Sequence, residues 1–289
     1  MTGVRTAGQY CIATASRNER WIMSRIRSLP TNRTGTQTVE RSFQILKEIA
    51  AHNTRGATLP HLAEIFGLHR TTVHRLLQCL VRQGAIRRDA ASRRFFLGPL
   101  AVELSIAVRP QLDLKAAFGA AVSRVAEQTG DTTFLIVRSG NDGVCIDRRL
   151  GSYPIKTIVV EVGTRRPLGI GAGSLAIFSA LPDADMERIA YENAQRLSRY
   201  DRTPDSLLRS AKAARKAGYA SAPVYGVEGA TAVGVPILDP SGTPIAGLSV
   251  AAITKRMARP RQLALVQMFR EEALKMTDLL RDTNVADHG

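Results

Sequence analysis

The segment from Thr71 to Gln83 carries two surfaces at once, and this limits the chain more than any other feature. Val73, Leu76, Leu77 and Leu80 recur at i, i+3, i+4 and i+7, the spacing of one apolar stripe on a helix. Arg70, His74 and Gln78 stand four apart on another face. Such a helix must pack along the stripe and leave the polar face free. The flanking sequence supplies what it packs on. Leu59, Leu62, Ile65 and Phe66 give a short preceding helix its buried side, with Thr58 as N-cap, Pro60 in the first turn and Gly67 ending it. Earlier still, Val39, Phe43, Leu46 and Ile49/Ala50 define an amphipathic helix. After Gly84 the period shortens. Residues 85–88 and 94–97 read as strands around the polar stretch 89–93. Two short helices, a tight turn, a split-face helix and a small hairpin predict a winged helix-turn-helix over residues 37–98.

A free helical face of this chemistry suits base edges in a major groove. Arg70 can donate to guanine and Gln78 can bond adenine in bidentate fashion, with Thr71, Thr72, His74 and Arg75 completing the expected contact set. Arg75 and Arg82 flank the stripe within reach of phosphates. Arg87, Arg88, Arg93 and Arg94 surround the hairpin and are expected on the DNA backbone, the alternative being a solvated basic edge. The formal charge of +15 is uneven: residues 1–110 hold 17 Lys/Arg and 6 Asp/Glu, a net of +11, and the remainder 23 and 19, a net of +4. This asymmetry fits a DNA reader joined to a near-neutral second domain, with double-stranded operator DNA as the partner.

Several stretches together resemble one family. Thr38-Val39-Glu40-Arg41, His61-Leu62-Ala63-Glu64, residues 71–77 and Phe96-Leu97-Gly98 are similar to the N-terminal signature of IclR-type transcriptional regulators. Val162-Gly163, Pro167-Leu168, Leu181-Pro182, residues 215–219, 235–239 and 248–250 extend the resemblance over about residues 37–280, in order and at compatible spacings. It implies a two-domain α/β chain: an N-terminal winged helix-turn-helix, a linker helix over 99–110, and a C-terminal α+β GAF-like effector-binding domain over 111–281, with a tail at 282–289. It also implies a homodimer or homotetramer. Leu100, Leu104 and Ala107/Val108 keep helical spacing up to Pro110, and that side serves either dimerisation or packing on the chain's own wing.

Within residues 111–281 helices alternate with hairpin-linked strands. Helices are expected at 112–128, 174–180, 205–216 and 261–281, and strands at 132–137, 144–147, 155–160, 232–238 and 245–251. The histidines are His52, His61, His69, His74 and His288, so the second domain offers no histidine base and no His-ligated metal. Neither a Walker lysine nor a complete dinucleotide fingerprint is present: Gly169-Ile170-Gly171-Ala172-Gly173 follows Arg165-Arg166-Pro167-Leu168, and Ser174 replaces the last glycine. No catalytic residue, metal or cofactor is assigned. Carboxylate pairs keep an enzyme built on this domain as one alternative; a DNA-binding oligomer that senses no ligand is another.

The glycine stretch opens a helix, where amides and the dipole favour an anion, although a close-packed loop would read the same way. The resemblance implies an effector loop after Pro167-Leu168, hence Gly169, Ile170, Gly171, Ala172, Gly173 and Ser174 as effector contacts. Gly169 and Leu175 stand where many relatives carry His and Lys. Positions that in small-acid-binding members supply Asp, Cys and two Ser are placed here at Ala222, Ala232, Ser249 and Ala251. Only Ser249 keeps a polar group, so the expected effector is a carboxylate with an apolar or aromatic body.

Three scattered cysteines, Cys11, Cys79 and Cys145, support neither a disulfide framework nor a zinc site, and they fit a reducing cytoplasm. Cys79, beside Leu80, is expected to fill space. No run of 18 apolar residues suggests a membrane partner. The first 36 residues carry six arginines and one acid and are read as a disordered arm, with Met23 an alternative start.

Overall fold

A computed structural model of the chain describes residues 36–107, 114–158 and 160–285. The arm, Met23, Cys11 and the linker's end at Pro110 lie outside the described residues.

The N-terminal elements are α1 (Gln37–Ala51), α2 (Leu59–Phe66), α3 (Arg70–Arg82), β1 (Ile86–Arg88) and β2 (Phe95–Leu97). Thr58 caps α2 by accepting from the His61 amide, and Gly67 ends it at φ 59°, a left-handed conformation that costs a residue with a Cβ about 1–2 kcal/mol. The α3 stripe is buried as its spacing predicts: Val73, Leu76 and Leu77 are buried and Leu80 is partly so. The α1 stripe differs from expectation. Ile45 and Ile49 are its buried residues, while Val39 and Phe43 are more than half exposed. Amphipathic spacing identified the helix but admitted two overlapping stripes, and only packing on α2 and α3 selects one.

Helix α4 (Pro99–Ala107) follows, with Val102 and Leu104 exposed. Beyond it come α5 (Leu114–Thr129), β3 (Thr132–Ser139), β4 (Asp142–Arg149), β5 (Arg165–Pro167), α6 (Ala172–Ser179), α7 (Asp183–Glu192), α8 (Ala194–Leu197), α9 (Pro204–Ala217), β6 (Ala220–Pro223), β7 (Ala230–Leu238), β8 (Pro244–Ile253) and α10 (Arg259–Val285). The last helix runs on past its expected end at Arg281 to Val285, into the expected tail. Among the described residues the strands form a six-stranded antiparallel sheet in the order β5-β4-β3-β8-β7-β6.

Strand alternation sorts the two faces of this sheet. Leu135, Val233, Val235, Leu248 and Val250 face α5 and α10 and build a core with Phe118 and Phe269. The opposite face carries small residues, Gly234, Gly247, Ser249 and Ala251, which let α6 lie almost backbone to backbone on the sheet. A Cβ on Gly173 would meet Ser249 Oγ at 2.9 Å, and one on Gly234 would meet the Ala172 backbone at 3.1 Å. Helix α6 is buried all round and α7 and α9 cover it.

Three strand expectations change. Ile155 and Ile158 are exposed and lie outside any strand, and the edge of β4 pairs instead, at Asp142 to Val144, with the unexpected β5. Strand β6 was not expected: Ala-Ser-Ala-Pro has weak strand propensity and is held by its pairing with β7.

Candidate nucleic-acid interface and ligand cavity

On α3 the side chains of Arg70, Thr71, His74, Arg75 and Gln78 are exposed and Thr72 is half-buried, so one surface of the helix is open while the other holds the domain together. In the wing, Ile86 pairs with Leu97 and Arg88 with Phe95. Arg87 lies 4.7 Å from the Phe96 ring centroid and Arg88 5.7 Å from that of Phe95. Asp89 closes the tip by accepting from the Ser92 amide at 2.7 Å and the Ser92 hydroxyl at 2.6 Å, and these bonds hold its carboxyl below the usual range. Arg93 turns the chain with φ 56° and is exposed.

Arg94 has a different place from its three neighbours. Its Nη1 donates to the carbonyls of Arg55 at 3.3 Å and Gly56 at 3.0 Å, in the loop between α1 and α2. The same loop pairs with β2 through Ala57 and Phe95, and Asn53 Oδ1 accepts from the Leu97 amide at 2.8 Å. Gly56 at φ 72° passes so close that a Cβ would stand 2.5 Å from the Phe96 ring. This loop anchors the wing, and sequence reasoning missed it; Asn53 and Gly56 in a short polar connection were the available signal. Cys79, expected as filler, is exposed, because Val73, Leu76, Leu77 and Leu80 already fill the contact with the rest of the domain.

The second candidate site is a cavity of about 50 Å³ between the N-terminus of α6 and the small-residue face of the sheet. Of the expected effector residues, Ile170, Gly171, Ala172, Gly173, Ser174, Ala232, Ser249 and Ala251 line it. Gly169 and Ala222 stand outside the lining. The Gly169 amide donates to Ser174 Oγ at 2.9 Å, and a Cβ there would strike Leu207. Ala222, on β6 directly opposite Ala232, packs against the core under α9. The Ile170 amide bonds the Pro167 carbonyl, and the first amides of α6 have no intrahelical acceptors. The glycines divide between both readings: Gly173 is a packing residue, whereas Gly171 is exposed, with nothing within 4 Å of an added Cβ.

Seven lining residues are absent from the sequence-based set: Phe134, Ile136, Val160, Arg166, Pro223, Val224 and Tyr225. Alternation along β3 could have supplied Phe134 and Ile136. Arg166 is the cation of the cavity. Burial holds its guanidinium below the ordinary pKa, offset by the phenols of Tyr200 and Tyr225. It lies 5.9 Å from the Tyr200 ring centroid, Tyr200 packs edge-on against Tyr225, and Tyr225 donates to the Arg199 carbonyl at 2.6 Å. Its neighbour Arg165 pairs with Asp142 at 2.9 Å. Cys145 lies behind the cavity, its thiol pushed up to about 12 by burial.

Among the described residues no helix is long and apolar enough to cross a membrane. Two family descriptions match the chain in tandem: "IclR helix-turn-helix domain" over residues 38–90 and "Bacterial transcriptional regulator IclR C-terminal" over residues 107–278. The HTH-type transcriptional regulator KipR of Bacillus subtilis is 27% identical over 224 residues, covering 76% of this chain and 88% of its own length. An IclR transcriptional regulator from Alicyclobacillus acidocaldarius superposes with a TM-score of 0.66 at 25% identity, covering 84% of this chain and 98% of that one. An IclR homologue from Microbacterium hydrocarbonoxydans, solved as a complex with 4-hydroxybenzoate, shares the fold at a TM-score of 0.63 and 24% identity, covering 85% of this chain and 100% of that one. A DNA-binding domain with a split-face third helix, joined to a C-terminal domain that the second family description spans, leads to one assignment: the chain belongs to the IclR family of bacterial transcriptional regulators.

Proposed function

We propose that this regulator reads operator DNA with α3 and answers to a carboxylate held in the cavity at α6. Arg70, Thr71, Thr72, His74, Arg75 and Gln78 contact bases and the adjoining backbone in a major groove, and Arg87, Arg88 and Arg93 contact phosphates. Arg94 anchors the wing. The observation that carries this reading is the division of α3 into a buried apolar stripe and an exposed polar face. A homodimer, formed through the exposed Val102 and Leu104 of α4, places two such helices on one operator.

In the cavity the carboxylate meets Arg166 and the first amides of α6, while Phe134, Ile136, Ala232 and Ala251 receive an apolar body. The bound aromatic acid of the Microbacterium homologue is a carboxylate of this kind. The cavity of about 50 Å³ is far below the roughly 300–1,000 Å³ of ligand pockets, so an aromatic body enters only when a wall moves. The wall we assign is 224–229, where Gly226 and Gly229 both have positive φ. A ligand that binds only the opened form shifts the chain between two arrangements and thereby alters DNA affinity.

Selection of DNA from a random pool by the purified full chain tests the first half. One enriched motif is expected; recovery of unenriched DNA overturns it. Calorimetry tests the second half: benzoate and branched carboxylates bind more tightly than pyruvate or glyoxylate, and the reverse order overturns the assigned pocket.

A further inference from the structure

In the DNA-binding domain, three side chains converge where α1 meets α2. Glu48 and His52 are one turn apart at the end of α1, and His61 enters from the first turn of α2. Glu48 Oε1 lies 3.3 Å from His52 Nδ1 and 3.5 Å from His61 Nε2, and the three ligand atoms fall within 4.8 Å of one another. The imidazole rings meet edge to face with centroids 5.1 Å apart. His61 Nε2 is itself buried and makes no hydrogen bond, although the rest of that side chain is 40% exposed.

We propose that Glu48, His52 and His61 form a binding site for a divalent metal ion of the zinc class. Ligands about 2.0–2.1 Å from a tetrahedral zinc ion lie roughly 3.3 Å from each other, close to both distances from Glu48 Oε1. Two imidazoles and one carboxylate favour zinc or its late first-row neighbours over magnesium and calcium, which take oxygen donors. The ion gives the buried His61 Nε2 a partner, and His52 Nδ1 becomes a ligand by giving up its 3.0 Å contact with the Glu48 carbonyl. A fourth position is left to water. The sequence hides this set because the histidines are separated by a turn and a helix cap, outside any familiar ligand spacing.

The position gives the ion something to act on. The turn that starts at His52 holds the wing through Asn53, Arg55 and Gly56, so an ion here ties α1, α2 and the wing anchor together.

The test is a titration of tag-free, EDTA-stripped full-length protein with zinc chloride, read by calorimetry and thermal melting. One zinc per chain and a Tm raised by several degrees are expected, and magnesium chloride should give neither. Glu48→Gln and His61→Ala should weaken zinc binding at least about tenfold, since even outer partners of a metal ligand are worth about 10–100-fold. Glu48→Gln keeps the shape of the side chain, so its metal-free Tm reports whether the domain is folded. Absence of 1:1 zinc binding by the wild-type chain overturns the site. So does zinc binding of unchanged affinity in folded Glu48→Gln and His61→Ala variants, which would place the ion elsewhere.

Discussion

Arg94 donates to the Gly56 carbonyl across 38 residues of sequence, binding the base of the wing to the loop between the first two helices. Its neighbour Arg93 is exposed at the wing tip, and the two should behave differently on substitution. Arg94→Ala loses two side-chain to backbone bonds, each worth about 0.5–1.5 kcal/mol, and should lower the Tm by several degrees. Arg93→Ala should leave the Tm unchanged and reduce the slope of log affinity against log salt by about 1. Melting curves and salt-titrated DNA binding separate the two; equal Tm values for both variants would remove the anchoring role.

The open face of α3 predicts altered reading rather than altered folding. Arg70→Ala or Gln78→Ala should each relax preference at one or two base positions, by about 1–3 kcal/mol, with an unchanged Tm. A selected-site motif identical to that of the wild-type chain would exclude these side chains from base contact.

Arg166 is expected to hold the effector carboxylate. Arg166→Gln should cost about 1.5–3 kcal/mol of carboxylate affinity, the worth of a charged hydrogen bond, while ligand-free operator binding persists. Calorimetry with benzoate, paired with a DNA-binding assay, checks both halves; undiminished benzoate binding would move the anion site away from Arg166.

Two neighbouring glycines should resist replacement for different reasons. Gly173→Ala drives a Cβ against Ser249 Oγ and Ile136, an overpacking cost of about 1–3 kcal/mol. Gly171→Ala meets open space, but φ 89° with ψ 154° is a conformation essentially confined to glycine, a strain of about 1–3 kcal/mol. Denaturant unfolding should show both variants destabilised; an unchanged Gly171→Ala would show that the backbone there relaxes.

Thiol chemistry follows burial. Cys145, with its thiol pushed up to about 12, has almost no thiolate at neutral pH, whereas Cys79 is exposed on α3. Pulse alkylation with peptide mapping should label Cys79 in the folded chain and Cys145 only after denaturant is added. Early labelling of Cys145 would show that its strand opens readily.

Removal of Asp131 should be among the costliest single changes. Its carboxylate is 1% exposed and receives Arg261 at 2.6 Å and Arg256 at 3.2 Å, with Arg256 stacked 3.8 Å from the Tyr153 ring centroid. Asp131→Ala leaves two partly buried guanidinium groups without their anion, a loss of about 3 kcal/mol that urea unfolding can measure.

Residue order alone determined the parts of this protein governed by short-range physics. The stripe Val73, Leu76, Leu77 and Leu80, the cap at Thr58, the turn at Gly67 and the paired strand runs at 232–238 and 245–251 are local patterns with local causes, and they suffice for a winged helix followed by an α+β domain. The glycine run before α6 could likewise be read as a place where backbone comes close to something. Tertiary structure decided what required partners distant in sequence. It chose Ile45 over Val39 as the buried residue of α1 and gave the edge of β4 to residues 165–167. It also tied the exposed Arg94 to the Gly56 carbonyl. The cavity depended on the same long-range pairing. Arg166 reaches it because β5 pairs with β4, and Phe134 reaches it because β3 lies beside β8, so the charge and the aromatic wall of the site exist only once the sheet has closed its order. Periodicity reports which side of an element is apolar; which neighbour covers that side is settled by burial summed over the whole fold.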